Sequence, residues 1–417
     1  MLPEIKRIRK YKEKFIRSVD RFGTPQYILV VNELKKRIKL INQFKKRYPS
    51  MDIYYHYKTN CLPFICKLMH KSNIYADVSS LFELKLALKL KAKKIIFNGP
   101  GKTRKELNLA ISNSDKVIIN VDNYEELKEI IKISREKRKK VSIGLRLYIK
   151  SNDIGWSKFG IKPEKINNIL KFLEKEKNID FQGFHFHIGT EIKNPSIYKN
   201  TLKKLRKVIN NLNDEERKKI KFINVGGGFG VDGYYRYNII NKIFNRESKL
   251  YRNKPIDEFI KTITDSFKKY ILSIENINSP TLILEPGRWL VSPCMYLLTR
   301  VLYKKGDSVI LDSGINICMP LLYEYHPMIN LSSISNERKK CILFGSALLH
   351  VGILGKYYYG DVLEKNDILC IINMGAYMET LSWQFSKPLS RIIALSDNKI
   401  KEIKKEEDFD YRFGRDI

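Results

Sequence analysis

The chain is short of acid: across 417 residues, 45 Asp and Glu face 78 Lys and Arg, leaving a formal net charge of +33. No apolar run is long enough to cross a bilayer, so no membrane partner is expected. The opening MLPEIKRIRKYKEKF lacks the apolar centre of a secretory signal. Six cysteines, at 61, 66, 294, 318, 341 and 370, have no metal-ligand spacing and stand mostly in apolar runs, so they read as buried free thiols. Reduced thiols fit a cytoplasmic location. No internal repeat argues for a solenoid. The positive charge is not gathered into an aromatic-interleaved basic arm but spread through helix-like stretches with Asn and Ile. It therefore reads as compositional bias rather than a nucleic-acid surface, with attraction of an acidic substrate or partner left open.

What is present has a clear order. From about residue 33 to 280, apolar runs alternate with lysine-rich helical stretches, the pattern of a parallel β/α barrel. Lys94 to Asn98, Lys116 to Asn120, Val141 to Leu147 and Phe181 to His187 are such runs. After Arg288 the texture changes to short runs between turns (Ser308 to Asp312, Cys341 to Phe344, Ile368 to Ile372), an all-β pattern. The basic, tyrosine-rich segment from Val231 to Pro255 reads as an insertion after a glycine cluster. The charged tail from Asn398 reads as frayed or surface-lying.

Four short motifs carry the chemistry: YYHYKTN ending at Asn60, HFHIGT ending at Thr190, VGGGFG ending at Gly230 and EPGR ending at Arg288. Together they offer the parts of a pyridoxal 5'-phosphate site. Lys58 follows an apolar run, Ile53 to Tyr57, and is the candidate Schiff-base amine, although a lone lysine in so basic a chain is more commonly a solvated surface group. Gly226, Gly227, Gly228 and Gly230 follow the apolar run Phe222 to Val225 and read as an anion cradle, with a plain turn or a dinucleotide loop as alternatives. His185 and His187 alternate with Phe186, so on a strand they point the same way. His187 could lie against a planar ring while Gly189 and Thr190 add phosphate contacts; the pair could instead hold a metal, for which His326 and His350 are the only later histidines. No metal is expected. Glu285 follows another apolar run and could pair with a pyridinium nitrogen, or merely with Arg288 at a turn.

Taken jointly, the motifs resemble the alanine-racemase-like (fold type III) class of pyridoxal phosphate enzymes, and within it the diaminopimelate, ornithine and arginine decarboxylases. The resemblance runs from FGTPQYIL (Phe22 to Leu29) through the Lys58 motif, ADVSSLFEL with Asp77, FNGPGKT (Phe97 to Thr103) and SKFG (Ser157 to Gly160) to MGAY with Tyr377. It implies a (β/α)8 TIM-like barrel over 33–280 and a mostly antiparallel, β-sandwich-like domain over 1–32 and 281–417, with Gln26 to Val30 as a strand of the latter. It implies that Lys58 holds the cofactor, that His187 stacks on the ring and that Glu285 faces the pyridine nitrogen. Thr190, Gly226 to Gly228 and Tyr377 would hold the phosphate, with Gly287 and Arg288 beside it and Asp77 and Arg146 nearby. It also implies a homodimer with shared sites and a small amino-acid substrate.

The match breaks at two places. Family decarboxylases carry a Gly-Pro-x-Cys-acid stretch whose counterpart here, FGSALLHVGILGK, has Leu348 and Leu349 at the Cys and acid positions. Met319 stands where diaminopimelate enzymes tend to show an arginine. The expected activity is thus α-decarboxylation of an amino acid or amino-acid conjugate other than plain diaminopimelate, with His350 or Lys58 as proton donor and Arg288, Tyr323 and Tyr325 near the substrate. A diverged diaminopimelate decarboxylase and an impaired homologue acting as a binding partner are the alternatives. Weak or no activity is expected on free ornithine and lysine, whose distal ammonium would be desolvated without a partner.

Overall fold

The computed structural model describes residues 3–148, 158–233, 235–236, 252–318, 324–332, 337–350, 352–397 and 399–414. Two compact units emerge: Ile38–Gly230 with Lys254–Gly287, and Met1–Arg37 with Val231–Asn253 and Arg288–Ile417.

The first unit is a closed barrel of eight parallel strands: Met51–His56, Tyr75–Val78, Ile95–Phe97, Val117–Val121, Val141–Arg146, Ile179–His185, Phe222–Asn224 and Thr281–Leu284. The last strand closes the ring by pairing with both the first and the seventh, Leu284 opposite Ile53 and Leu282 opposite Ile223. Its place in the barrel is why the unit runs on to Gly287, past the division expected after residue 280. Covered on both faces, these strands are continuous rather than alternating apolar runs. Tyr54, Ile96, Phe222 and Ile283 pack in the interior. Such side chains contribute roughly 1.5–3 kcal/mol each on burial.

Sequence fixes the intervening helices locally. Thr103 and Glu106 form a reciprocal capping box before Arg104–Ser112, and the Ser80 and Asn123 side chains accept the N–H of Glu83 and Glu126 at two further helix starts. Caps of this kind are worth about 1 kcal/mol each. Helix Ile256–Phe267 buries Ile256, Phe259, Ile260, Ile263 and Phe267, a stripe of helical period.

The second unit is a nine-stranded sheet, mostly antiparallel, in which Gln26–Val30 is an inner strand. It runs antiparallel to Met295–Lys305 and parallel to Arg391–Ser396. Helix Pro3–Phe22 buries Ile8, Tyr11, Phe15 and Val19 in the same core as Ile28, Tyr296, Leu298, Cys370 and Ile393. The insertion after the glycines belongs to this unit, not to the barrel range that the sequence suggested. The Asn373 amide donates to Asp232 O at 2.9 Å and Gly233 O at 3.1 Å, which holds the two residues where the segment begins. The tail lies at the surface, one of the two readings expected of it, but as a strand rather than as frayed chain. Lys399–Lys404 is a strand paired antiparallel with Arg391–Ser396, and Arg391 grips Glu406 at 2.6 Å. Its alternation of Lys and Ile was a strand signal masked by charge.

Five of the six cysteines are buried and Cys61 is half-buried, all as free thiols. No helix of the described residues is long and apolar enough to cross a membrane.

Candidate active site

The chemistry-bearing residues of the barrel stand at the C-terminal ends of its strands, where parallel barrels gather their sites. Lys58 lies in the single turn Tyr57–Thr59 that follows the first strand. Tyr57 and Thr59 on either side are fully buried while Lys58 is exposed, so the turn is anchored and the amine is presented. Asp77 lies on the second strand, Asn98 just beyond the third, Arg146 and His185 end the fifth and sixth, and Glu285 follows the eighth.

Glu285 is buried and held by two amides: Asn224 Nδ2 donates to its Oε1 at 2.6 Å and Asn98 Nδ2 at 3.1 Å. Asn98 also donates to Asp77 Oδ1 at 2.7 Å and accepts from Asn120 Nδ2 at 2.8 Å. Asn224 in turn accepts the Gly226 N–H at 2.9 Å, which links the buried acid to the glycine run. Burial pushes both carboxyls up, and for Asp77 the neighbouring Glu285 adds to the rise. Two carboxylates on one amide cannot both carry charge cheaply in so dry a place. A cation such as a pyridinium nitrogen relieves that repulsion.

The glycine run is built for close approach. Gly226 takes φ +70°, and a Cβ there would lie 2.6 Å from His187 Nδ1; one on Gly227 would lie 2.1 Å from Glu285 O. The Gly227 N–H donates to His187 Nδ1 at 3.2 Å and the Ile192 N–H to Gly228 O at 2.9 Å, so the HFHIGT turn is laced to the glycines. Because Nδ1 accepts, the neutral His187 ring carries its proton on Nε2. Burial and the Lys58 and Arg146 cations keep that ring neutral. Thr190 is exposed on the same turn.

The two histidines do not act as the strand pair that alternation suggested. The strand ends at His185, which is fully buried with Nε2 3.8 Å from Glu285 Oε2, whereas His187 lies beyond the strand on the glycine side. Among the described residues no group of three or more His, Cys, Asp or Glu could hold a metal ion. Arg146 pairs with Asp122 at 3.3 Å, and Asp122 accepts the Gly160 N–H at 3.2 Å. Thus Gly160, at the end of SKFG, is fastened beside the fifth strand, as is Ile161, whose N–H donates to Arg146 O.

Arg288 and Tyr377 belong to the other unit, where the Arg288 guanidinium lies 4.9 Å over the Tyr377 ring and Tyr377 takes a φ of +67°, costly for an aromatic residue. Gly287 ends the barrel unit; a Cβ there would lie 2.2 Å from Thr59 Oγ1, beside the Lys58 turn. In the loop of Leu348 and Leu349, Leu348 is 89% exposed and His350 is exposed. Met319 and Tyr323 lie outside the described residues, as does the side chain of Tyr325.

Several residues of this network were not singled out by sequence reading: His56, Asn98, Asn120, Asn224 and Lys102. The Lys102 side chain is covered and donates to Gly99 O at 2.8 Å, Asn120 O at 2.8 Å and Glu126 at 2.6 Å, bracing two strand ends. A polar residue directly after a short apolar run was the available signal, and Asn98 and Asn224 both satisfy it.

The geometry thus supplies an exposed lysine, a glycine run without side chains and a buried acid held by two amides, which fits pyridoxal phosphate. The family described as pyridoxal-dependent decarboxylase, pyridoxal binding domain, matches residues 34–292, and the chain belongs to it. A diaminopimelate decarboxylase of Aquifex aeolicus is 27% identical over 94% of this chain and 91% of its own. The crystal structure of the Methanocaldococcus jannaschii diaminopimelate decarboxylase with L-lysine superposes with a TM-score of 0.85 at 26% identity, covering 96% of this chain and 94% of that one. An L-glutamyl-[BtrI acyl-carrier protein] decarboxylase of Niallia circulans is 25% identical over 86% of this chain and 85% of its own. This protein is therefore a pyridoxal phosphate-dependent decarboxylase of amino acids, and the impaired-homologue alternative is set aside.

Proposed function

We propose that this decarboxylase acts on diaminopimelate or a close diamino dicarboxylate, releasing carbon dioxide and the corresponding diamino acid, lysine in the case of diaminopimelate, with Lys58 as the residue that holds the cofactor. The likeness to diaminopimelate decarboxylases over nearly the whole chain, in sequence and in structure, carries this reading. It reverses the order in which sequence alone ranked the two substrate classes.

When bound, pyridoxal phosphate supplies the electron sink for the pair released as carbon dioxide leaves. The chain's own residues do the rest. Lys58 presents its amine from an anchored turn, which limits the entropy lost in reaching one reactive geometry. Glu285, fixed by Asn98 and Asn224, offers a carboxylate to a ring nitrogen and holds a proton there. The glycine run, side-chain-free at Gly226 to Gly228, is the stretch that the family resemblance supports as the phosphate's neighbour, with Thr190 on the laced turn. His187, neutral and oriented by Gly227, offers a flat face. The family resemblance supports Arg288 and Tyr377 as further phosphate or substrate contacts, Asp77 and Arg146 as neighbours of the cofactor, and a homodimer. Six free thiols fit a cytoplasmic setting.

A second substrate reading rests on one observation: Leu348, at the position of the family's thiol, is an exposed apolar side chain next to Leu349. Such a pair suits the uncharged stem of a conjugated amino acid, the kind of substrate named for the Niallia circulans relative. Carbon dioxide release from purified protein, measured on diaminopimelate, ornithine, lysine and carrier-linked glutamate, separates the readings. Growth of a lysine auxotroph carrying this chain supports diaminopimelate; turnover of the carrier-linked acid alone would overturn it.

A further inference from the structure

Tyr198 has no part in the site described so far, yet it reaches the glycine run from the helix that follows the sixth strand. It stands in the first turn of that helix, Ser196–Asn210, on a buried stripe with Leu202, Leu205 and Ile209. The residue is fully buried, and its hydroxyl donates to Gly227 O at 2.6 Å. Two further rings hold it in place. Phe229, itself part of VGGGFG, stacks on Tyr198 with centroids 5.7 Å and planes 29° apart, and Phe259 of helix Ile256–Phe267 meets the two edge-on at 6.3 and 5.7 Å. Burial pushes the phenol well above its ordinary value, so it keeps its proton and remains a donor.

Each carbonyl of the three glycines has its own donor. Gly226 O accepts the Glu285 N–H at 2.8 Å, Gly227 O the Tyr198 hydroxyl and Gly228 O the Ile192 N–H at 2.9 Å. The Gly226–Gly227 peptide is held at both edges, because its N–H also donates to His187. The Gly227–Gly228 peptide is held at one. Among the described residues none accepts the Gly228 N–H, so the Tyr198 hydroxyl is what fixes the orientation of this peptide. With a glycine on either side, its torsions are the softest the chain can offer. A trans peptide turns its N–H opposite to its carbonyl. With Gly227 O drawn toward the helix, the Gly228 N–H faces away from it.

We propose that Tyr198 is a positioning residue for the cofactor's phosphate: by gripping Gly227 O it keeps the Gly228 N–H turned away from the helix, as a donor for that anion. This rests on the reading that the glycine run is the phosphate's neighbour. The consequence is selectivity. A hydroxyl that aims a backbone donor at an anion matters to a phosphorylated ligand and not to the same ring without its phosphate.

The test titrates the cofactor-free full chain with pyridoxal 5'-phosphate and with pyridoxal, followed by visible absorbance, in the parent protein, in Tyr198→Phe and in Gly228→Ala. In Tyr198→Phe, which removes only the hydroxyl, the Kd for pyridoxal phosphate should rise about tenfold or more, as on losing one hydrogen bond to a charged group, while that for pyridoxal changes by less than about twofold. A ring that serves packing alone would weaken both ligands alike. Equal loss of the two, or loss of neither, would overturn the inference. Gly228→Ala tests the reading beneath it: a Cβ there would lie 2.3 Å from Gly189 O, so the run must shift and the preference for the phosphorylated ligand should collapse. A preference kept in Gly228→Ala removes the phosphate from the glycine run and the inference with it; a preference lost there but kept in Tyr198→Phe overturns the role of Tyr198 alone. Should Tyr198→Phe not fold, Phe229→Leu, which keeps the hydroxyl but takes away the ring stacked on it, should show the same preferential loss in milder form, and an unchanged ratio of the two affinities would overturn the inference.

Discussion

The strand ends of the barrel and the loop of Leu348 to His350 place their groups in opposite ways. At the strand ends, Asp77, Asn98, Asn224 and Glu285 are buried, joined by hydrogen bonds of 2.6–3.1 Å and set on neighbouring backbones that the barrel holds in register. In the loop, Leu348 is 89% exposed. A residue held by a buried network has one position, and changing it leaves polar partners unsatisfied; a residue on an exposed loop has few partners to lose. The first arrangement suits an invariant task, gripping a cofactor, and the second suits adaptation to a substrate. Substitutions at strand ends should therefore cost far more than substitutions in the loop.

Lys58→Ala tests the comparison most severely. It should abolish covalent attachment of the cofactor and, with it, turnover, by more than about a thousandfold. Visible absorbance, followed by borohydride reduction and peptide mapping, checks it; a label on any other lysine sinks the assignment. Next comes Glu285→Gln, which preserves shape but not charge. It should keep cofactor and lower kcat by on the order of 3 kcal/mol, about a hundredfold, as loss of one preorganised electrostatic contact does. Unchanged kcat would make Glu285 a structural residue.

Gly227→Ala probes the backbone itself. Its new Cβ would meet Glu285 O at 2.1 Å, so the backbone must shift, at a cost of about 1–3 kcal/mol by analogy with overpacked sites. A lower thermal midpoint together with weaker phosphate binding is the expected pair of results, and a wild-type midpoint would show that the loop gives freely.

How much of this could be read in advance follows from the same contrast. Lys58, Glu285 and the glycines announced themselves because each follows a short apolar run, and a buried parallel strand is such a run. The barrel and the sheet were legible for the same reason. The roles of Asn98, Asn120 and Asn224 were not, because their meaning lies in contacts between residues as distant as 98 and 285, which no local pattern encodes. His185 and His187 misled because alternation was extended past the end of the strand. The strand Lys399–Lys404 was hidden by its charge, which belongs to an exposed edge.

The pH dependence of stability sharpens the comparison within the network. Asp77 has its carboxyl raised by burial and by Glu285. Its contribution to stability is therefore full below the unfolded value of about 3.9 and is lost as pH rises through the folded value. Asp77→Asn cannot ionise. The stability of the parent protein relative to this variant should fall as pH rises from about 4, by up to about 1.4 kcal/mol per pH unit while the window lasts. Urea denaturation of both cofactor-free proteins across that range checks it, and parallel curves would argue that Asp77 titrates alike in the folded and unfolded chains.

The smallest effect is expected in the loop. A leucine cannot deliver a proton, so Leu348 and Leu349 leave the final protonation to another group, and His350 and Lys58 are the candidates. His350 is exposed, without the burial that orients His187. A positioned acid contributes about 10²–10⁴ in rate; a solvent-facing imidazole, which water can replace, contributes less, so His350→Ala should lower kcat by under about tenfold. Solvent deuterium incorporation at the carbon that lost its carboxylate gives the second readout. Slower but still stereospecific incorporation in the variant fits His350 as a replaceable donor. Racemic incorporation, or a loss as large as that of Glu285→Gln, would show that the loop is as tightly prescribed as the strand ends, and the contrast between the two regions would fail.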